Sequence, residues 1–270
     1  MIIDAHLHCS GSETAADVLR SLDDAEVDIG VLLAPFLSGD YRLGDRAALQ
    51  RANEHLGALV QGHEDRLVGF AVVDPSLPGA DDDLRRAAET HGLRGLKMVP
   101  SGWYPYDDAA RRVYSVAEEL RMPILFHSGI FIDGKSGRFC RPVFYEAVRN
   151  HPKLRVTLAH LGWPWSDEAI AVGLIDLING VNADDCQFRF DISFGAPPIY
   201  RKSMLEKALA VLTPGLLQFG SDRFLPCPGA DIIAARKEVE QLLDELEVQP
   251  RDRERLMSGT ARAWLDATAR

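Results

Sequence analysis

Two histidines separated by one residue are the first candidates for chemistry in this chain. His6 and His8 stand at the end of the apolar segment 2–8, IIDAHLH. Because residues i and i+2 of a β-strand point to the same face, both imidazoles can converge on one ion. A single histidine at a strand end is more often a hydrogen-bonded wall residue, so the pair needs support from elsewhere in the chain.

Three further polar residues end other apolar segments. His127, His160 and Asp222 occur in LFHSG, LAHLG and QFGSD. In a barrel wall each of them would need a separate partner, since a buried polar group without one is costly. A shared metal ion satisfies all five groups together, and the sequence therefore predicts a metal site.

Eight nearly continuous apolar segments predict the strands that position these residues. They span residues 2–8, 29–36, 67–75, 93–100, 122–129, 155–162, 188–195 and 216–222. Such segments are typical of parallel strands that are buried on both faces. The carboxyl ends of parallel barrel strands meet at one mouth, which is where barrel enzymes hold their active sites.

Amphipathic stretches between the segments predict helices. The apolar positions follow helical spacing at Ala15, Val18, Leu19 and Leu22, and again at Val113, Val116, Ala117 and Leu120 behind Asp107 as an N-cap. The alternation predicts a single α/β domain over residues 1–270, a (β/α)8 TIM barrel, with a doubly wound open sheet as the alternative. Residues 250–270 predict an extra C-terminal helix, broken at Gly259 and packed on the outside.

Composition excludes several classes of partner. The chain has 270 residues and a formal net charge of −10, which argues against a nucleic-acid or anionic membrane partner. No apolar stretch approaches the roughly 20 residues that span a bilayer, and no secretory signal is visible, so we expect a cytoplasmic protein. The four scattered cysteines form no CxxC pair and are expected to be reduced. The oligomeric state stays open, a homodimer included.

Five motifs carry a resemblance to a known family. DAHLH, GLKMVP, LFHSG, LAHLG and QFGSD, in this order, resemble the metal-dependent amidohydrolase superfamily. The chain is similar over its whole length to the amidohydrolase-related branch that includes aminocarboxymuconate-semialdehyde decarboxylase and 2-pyrone-4,6-dicarboxylate lactonase. The resemblance implies one divalent ion with His6, His8 and His127 as ligands. It implies that Asp222 is a ligand or holds the reacting water, and that His160 orients or deprotonates that water. Zinc is expected, although histidine and carboxylate ligands also suit manganese.

Two neighbouring families share the HxH start. TatD-type phosphoesterases carry a glutamate where this chain reads RGLKMVP, and we discount them. Dihydroorotase-like members use a carboxylated lysine that bridges two metals, and Lys97 lies where that lysine can fall. In the decarboxylase-like branch the same stretch accompanies a one-metal site. Lys97 is therefore a bridging ligand, a contact for a substrate carboxylate, or a wall lysine paired with an acid.

Aromatic and cationic residues that follow the predicted strands are candidates for substrate binding. Aromatic rings in these loops can clamp a flat substrate, and arginines can grip a carboxylate in bidentate fashion. Packing over the rim and solvated surface charge are the ordinary alternatives. The candidates are Trp103, Tyr104, Arg138, Trp163, Trp165 and Arg223. Cys227 lacks the surroundings of a nucleophile, and we do not expect it to be one.

These residues predict a metal-dependent hydrolase that activates water against a small organic acid, lactone or amide. The alternative is a non-hydrolytic decarboxylase of a small carboxylic acid that uses the same ligands. A non-catalytic metal-binding barrel fits less well, because a structural site needs neither an open water position nor an extra imidazole.

Overall fold

The strands of this computed structural model alternate with helices along the chain. The structure describes residues 1–193 and 195–266, apart from the side chain of Ser38. The strands are β1 (Ile3–Cys9), β2 (Ile29–Leu33), β3 (Leu37–Ser38), β4 (Tyr41–Arg42), β5 (Leu67–Val72), β6 (Gly95–Met98), β7 (Ile124–Phe126), β8 (Val156–Leu158), β9 (Phe188–Asp191), β10 (Leu217–Gln218) and β11 (Arg223–Leu225).

The helices between these strands form the outer layer. They are α1 (Ala15–Asp24), α2 (Arg46–Val60), α3 (Ala80–Glu89), α4 (Asp108–Glu119), α5 (Ser166–Ile178), α6 (Pro198–Val211), α7 (Gly229–Glu245), α8 (Pro250–Glu254) and α9 (Thr260–Asp266). Between β7 and β8 a 3-10 helix over Pro142–Asn150 takes the place of an α-helix. Within the described ranges, no helix combines the length and the apolar character needed to cross a bilayer.

The parallel sheet closes on itself. Its strand order is β10-β9-β8-β7-β6-β5-β2-β1-β11, so the chain segment 217–225 pairs with β9 at one end and with β1 at the other. Between β10 and β11, the Ala5 N–H donates to the Phe219 carbonyl over 3.0 Å. Segment 217–225 therefore acts as the eighth strand of a closed barrel. The predicted (β/α)8 barrel is confirmed, and the open-sheet alternative is not.

The two helices predicted from periodicity are present as α1 and α4. Thr14 caps α1, accepting a hydrogen bond from the Asp17 N–H. Asp107 occupies the N-cap position of α4 as predicted, but its carboxylate accepts from the Tyr104 N–H over 2.8 Å instead of from the helix. The short hairpin of β3 and β4 was not predicted. It lies in the connection between β2 and α2, at the mouth of the barrel.

The C-terminal segment closes the opposite end of the barrel. The break predicted at Gly259 is wrong, because a π-helical turn over Arg255–Gly259 joins α8 directly to α9. The prediction that the C-terminal helix packs on the outside of the barrel is also wrong for α9. Fully buried Trp264 packs on Phe70 with ring centroids 5.1 Å apart, and its Nε1–H donates to the Arg155 carbonyl. Residues 267–270, which the prediction included, lie outside the described residues.

Candidate active site

A bulge in β1 turns both histidines toward the barrel axis. Opposite β2, the register of β1 slips by one residue between Asp4 and Leu7. The Asp4 carboxylate holds this bulge, accepting from the His6 N–H over 3.1 Å and from the Ser221 N–H over 2.9 Å. Because of this extra residue, the side chains of His6 and His8 point into the barrel, as the side chain of Ile3 does before the bulge. Bulges commonly re-aim side chains in this way next to active sites.

Asp222 approaches the two histidines from the eighth strand. Its Oδ1 lies 3.0 Å from His8 Nε2 and 3.3 Å from His6 Nε2, and the two Nε2 atoms are 3.1 Å apart. The backbone of Asp222 adopts φ +56°, which a residue with a side chain rarely adopts. At Gly220, any Cβ would lie 2.7 Å from the Cβ of His6, so only glycine lets the eighth strand approach β1 this closely.

This donor set fits a divalent metal ion. Among residues 1–193 and 195–266, the candidate ligand atoms of His6, His8 and Asp222 form a group within 4.8 Å of one another. Ligand bonds of about 2.0–2.2 Å place donor atoms roughly 3 Å apart, as they are here. His6 Nδ1 lies 2.9 Å from the Asp191 carboxylate, so its Nδ1–H is bound and its Nε2 lone pair faces the group. A carboxylate behind a histidine in this way is typical of metal sites.

His127 lies at the cavity but outside this group. Its Nε2–H donates to the Ile130 carbonyl over 3.0 Å, which leaves the lone pair on Nδ1. Its ring centroid lies 5.1 Å from that of His160. The chemistry of a fourth ligand is therefore present at His127, and its role as a ligand stays a prediction.

His160 is held rigidly beside the group. Both His160 (φ +58°) and Leu161 (φ +47°) adopt left-handed backbone conformations, at a cost of about 1–3 kcal/mol each. The His160 N–H donates to the Asp191 carboxylate over 2.9 Å, and its Nδ1 lies 2.9 Å from the Ser193 hydroxyl. Its ring centroid is 5.4 Å from that of His6. The surrounding contacts thus fix an imidazole next to the candidate ligands.

Lys97 contacts the same group from β6. The side chain is only 1% exposed, and Nζ lies 3.4 Å from His6 Nε2. Burial lowers its pKa to about 8, although the Asp191 and Asp222 carboxylates act in the opposite direction. Lys97 is therefore a buried cation beside the candidate ligands and not a solvated surface cation.

Burial sets the protonation of the imidazoles. It lowers the pKa of His8 to about 4 and also lowers the pKa values of His127 and His160. Neutral imidazoles are the form that can bind a metal or accept a proton. Burial alone would raise the pKa of Asp222, but nearby imidazoles, His6 foremost, hold it well below its usual range. The carboxylate is ionised at neutral pH.

A cavity of about 320 Å³ opens above these groups. His8, Lys97, His127, His160 and Asp222 supply its polar lining, while His6 lies behind them and is fully buried. Apolar side chains supply most of the remaining wall: Phe36, Leu37, Ile130, Phe131, Ile132, Trp163 and Phe224. The Phe224 ring stacks on His8 with centroids 4.6 Å apart.

The structure brings only some of the predicted substrate-binding residues to this cavity. Lys97 and Trp163 line it. The others are not among its lining residues: Trp103, Tyr104, Arg138, Trp165 and Arg223. These five side chains pack elsewhere or lie at the surface.

Two of these five show why position after a strand is a weak guide. Trp103 is 3% exposed and belongs to the hydrophobic core between barrel and helices. Tyr104 stacks on Tyr106, with centroids 5.0 Å apart. The loop after β6 therefore uses its aromatic residues to pack against the helical layer.

The cationic candidates are also turned elsewhere. Exposed Arg138 lies over the Phe139 ring at 4.7 Å, and the Arg223 Nε–H donates to the Asp231 carbonyl over 3.2 Å. Arg141 lies over Trp165 at 5.4 Å. In the described part of the chain, Lys97 is the cationic side chain that lines the cavity.

Sequence reasoning missed three residues at the site. Asp191 and Ser193 contact both His6 and His160, and Phe224 covers His8. Asp191 ends β9 in the structure but lies in the middle of the predicted segment FRFDISFG, so the search for polar residues near segment ends passed it over. No comparable signal marks Phe224, because its neighbour Arg223 is the more obvious polar candidate.

A family model agrees with this geometry. The amidohydrolase model matches residues 3–267, which is nearly the whole chain. This chain belongs to the amidohydrolase family. The motif-based resemblance is confirmed, and with it membership of an enzyme superfamily that is metal-dependent. A comparison with curated protein sequences finds no match.

Solved structures share the fold of this amidohydrolase at low sequence identity. A TIM-barrel protein from Bordetella bronchiseptica aligns with a TM-score of 0.71 at 16% identity, covering 100% of this chain and 99% of the other. A 2,6-dihydroxybenzoate decarboxylase from Rhizobium aligns with a TM-score of 0.68 at 15% identity and 98% coverage of both chains. A probable 2-pyrone-4,6-dicarboxylic acid hydrolase from Acinetobacter baumannii aligns with a TM-score of 0.64 at 16% identity, and the alignment covers 98% of both chains.

Proposed function

We propose that this amidohydrolase is a metal-dependent hydrolase that acts on a small organic acid, lactone or amide. The observation that carries the proposal is the convergence of His6 Nε2, His8 Nε2 and Asp222 Oδ1 within 3.0–3.3 Å of one another at the floor of a cavity. A buried imidazole outside this group, His160, is available for proton transfer. A binding barrel without catalysis needs no such additional group.

We propose that His6, His8, His127 and Asp222 hold one divalent ion, zinc or manganese. Such an ion supplies Lewis-acid polarisation of the substrate and lowers the pKa of a coordinated water. Asp222 is ionised and can accept a proton in the cavity. His160 is neutral and can take a proton, and once protonated it can donate a hydrogen bond to charge that develops on the substrate.

Lys97 gives the cavity a preference for an anionic or electron-rich substrate. The ammonium group is buried at the floor, and the arginines considered for substrate binding do not reach the cavity. A single ammonium suits one carboxylate or one carbonyl oxygen. We therefore propose that Lys97 contacts the substrate, and that the apolar walls from Phe36, Phe131 and Trp163 hold its carbon skeleton.

A decarboxylase is the second candidate, and the character of the walls favours it. Phe224, Phe131 and Trp163 place apolar surface around the polar floor. A carboxylate forced against such surface loses hydration, whereas the departing carbon dioxide is neutral. The solved structures similar in fold include both a decarboxylase and a hydrolase by name.

A substrate screen separates the two candidates. Purified protein loaded with zinc or manganese is incubated with lactones, amides and aromatic carboxylates, and released carbon dioxide is measured separately from ring opening or amine release. Hydrolysis without carbon dioxide supports the main proposal, and carbon dioxide release supports the second. Turnover that persists unchanged after chelation of the metal would overturn both.

A further inference from the structure

One buried carboxylate connects the two imidazoles that the proposed chemistry needs. Asp191 is fully buried at the end of β9. Its Oδ2 lies 2.9 Å from His6 Nδ1. Its Oδ1 accepts from the His160 N–H over 2.9 Å, from the Ser193 N–H over 3.0 Å and from the Ser193 hydroxyl. The two carboxylate oxygens thus serve different histidines.

The hydroxyl of Ser193 carries this connection to the ring of His160. Because Ser193 donates its hydroxyl proton to Asp191, its oxygen is left as an acceptor. His160 Nδ1 lies 2.9 Å from this oxygen and must therefore donate. The same oxygen is 3.4 Å from His6 Nδ1, a longer contact than the 2.9 Å from His6 to Asp191.

We infer that Asp191 is a positioning residue that fixes the tautomers of both His6 and His160, directly in the first case and through Ser193 in the second. With the proton on Nδ1, each ring keeps its lone pair on Nε2. For His6 that lone pair faces His8 and Asp222. For His160 it makes Nε2 the atom that can accept a proton.

The contacts around His6 support this proton placement. Lys97 Nζ lies 3.4 Å from His6 Nε2, and an ammonium can only donate. Asp191 itself is surrounded by donors, because two N–H groups and one hydroxyl converge on its Oδ1, and this arrangement stabilises the ionised carboxylate. An ionised Asp191 accepts at both oxygens, so neither His6 Nδ1 nor the Ser193 hydroxyl can be the acceptor there.

Replacing Asp191 by asparagine should change the tautomer of His6. Three donors, two N–H groups and one hydroxyl, converge on the Oδ1 position and keep the amide oxygen of an asparagine there. Its NH₂ group then faces His6 Nδ1, which must become an acceptor. The ring proton of His6 moves to Nε2, the atom that the proposed metal needs. The consequence for the metal rests on the proposed function, whereas the tautomer change does not.

The test measures tautomers by long-range ¹H–¹⁵N correlation spectra of the full-length ¹⁵N-labelled protein, before and after loading with zinc. The variants are Asp191→Asn, Ser193→Ala and Ser193→Thr. Thr157→Val is the control, since it removes a buried hydroxyl from the neighbouring strand β8 without touching this network. Zinc affinity is measured in parallel by competition with a chelator.

We expect Asp191→Asn to convert His6 to the Nε2–H tautomer and to weaken zinc binding by about 10–100-fold. Ser193→Ala should shift His160 alone and leave zinc affinity within about twofold, while Ser193→Thr, which keeps the hydroxyl, restores the wild-type His160 signal. An Asp191→Asn protein that folds and keeps Nδ1–H on His6 overturns the inference, as does an unchanged His160 tautomer in Ser193→Ala. A wild-type protein that shows the expected tautomers but binds no zinc refutes the proposed metal centre alone.

Discussion

The backbone N–H of Asp222 donates to the carbonyl oxygen of His6 over 2.8 Å. This hydrogen bond joins the last strand of the barrel to the first. It also brings the side chain of Asp222 next to two imidazoles that lie more than 200 positions away in the sequence. Closure of the barrel and assembly of the candidate metal site are therefore the same structural event.

The metal site makes the first prediction. Purified wild-type protein should contain about one equivalent of divalent metal, and His6→Ala/His8→Ala protein should contain almost none, because both nitrogens of the described group are removed. Metal content is measured by elemental analysis. His151→Ala, which removes a histidine beside Glu118 outside the site, is the matched control. Unchanged metal content in the double variant would show that the ligands have been misassigned.

Lys97 separates the one-metal from the two-metal arrangement. Lys97→Met should leave metal content near one equivalent and abolish turnover or raise KM, because the substrate loses its buried cation. The measurement combines metal analysis with steady-state kinetics on the substrate found by the screen. Loss of metal in this variant, or two equivalents in the wild type, would mean that Lys97 is a carboxylated ligand.

His160 is expected to act on the reaction and not on metal binding. His160→Asn should keep metal content and thermal stability while lowering kcat by about 10²–10⁴-fold, the usual range for general acid–base help. Asparagine is chosen because it tolerates the left-handed backbone at this position. Asp222→Asn should reduce both metal content and turnover. If His160→Asn lost its metal, His160 would be a ligand, and the division of roles between these two residues would have to be redrawn.

Glu13 should make the free energy of unfolding depend on pH in the acidic range. Burial raises its pKa, but hydrogen bonds from His55 and Ser10 outweigh burial and lower it from 4.5 to about 2. The pKa of Glu13 is lower in the folded state than in the unfolded state. Its contribution to the free energy of unfolding is therefore fully present at pH values above the unfolded-state pKa, and it is lost as the pH falls toward the folded-state pKa. Glu13→Gln should cost about 1–3 kcal/mol near neutral pH, and the difference from wild type should shrink below about pH 4.

Denaturant unfolding at several pH values checks this expectation for Glu13. Exposed Glu146→Gln is the control and should change stability by less than about 0.5 kcal/mol at every pH. A Glu13→Gln effect of the same size in acid as at neutral pH would contradict the proposed role of the ionised carboxylate.

Trp264 should be a large contributor to the stability of the barrel. Its ring fills the end of the barrel opposite the candidate site, against Phe70. Trp264→Ala should lower the free energy of unfolding by about 3–5 kcal/mol, the usual cost of truncating a buried aromatic side chain. Trp264→Phe keeps most of the packing and should lose less. A loss below about 1 kcal/mol in Trp264→Ala would show that α9 is dispensable for closing the barrel.

The sequence by itself determined the architecture and the chemical type of the site. Continuous apolar segments and helical spacing are local properties, and eight alternations of the two leave a barrel as the favoured arrangement. The polar residues at the ends of those segments, His6, His127 and Asp222 among them, had to meet because the carboxyl ends of parallel strands share one mouth. The structure brings His6 and Asp222 into contact and places His127 at the same cavity.

Only the tertiary structure decided which other side chains reach that mouth. Trp103 and Arg138 follow strands just as Trp163 does, but loop packing turns the first into the core and the second to solvent. The role of Asp191 depends on contacts with His6 and Ser193, which lie 185 and two residues away. Local patterns predict which end of a strand a residue occupies. They do not predict its rotamer or the path of a loop, because both are set by packing against residues distant in the chain.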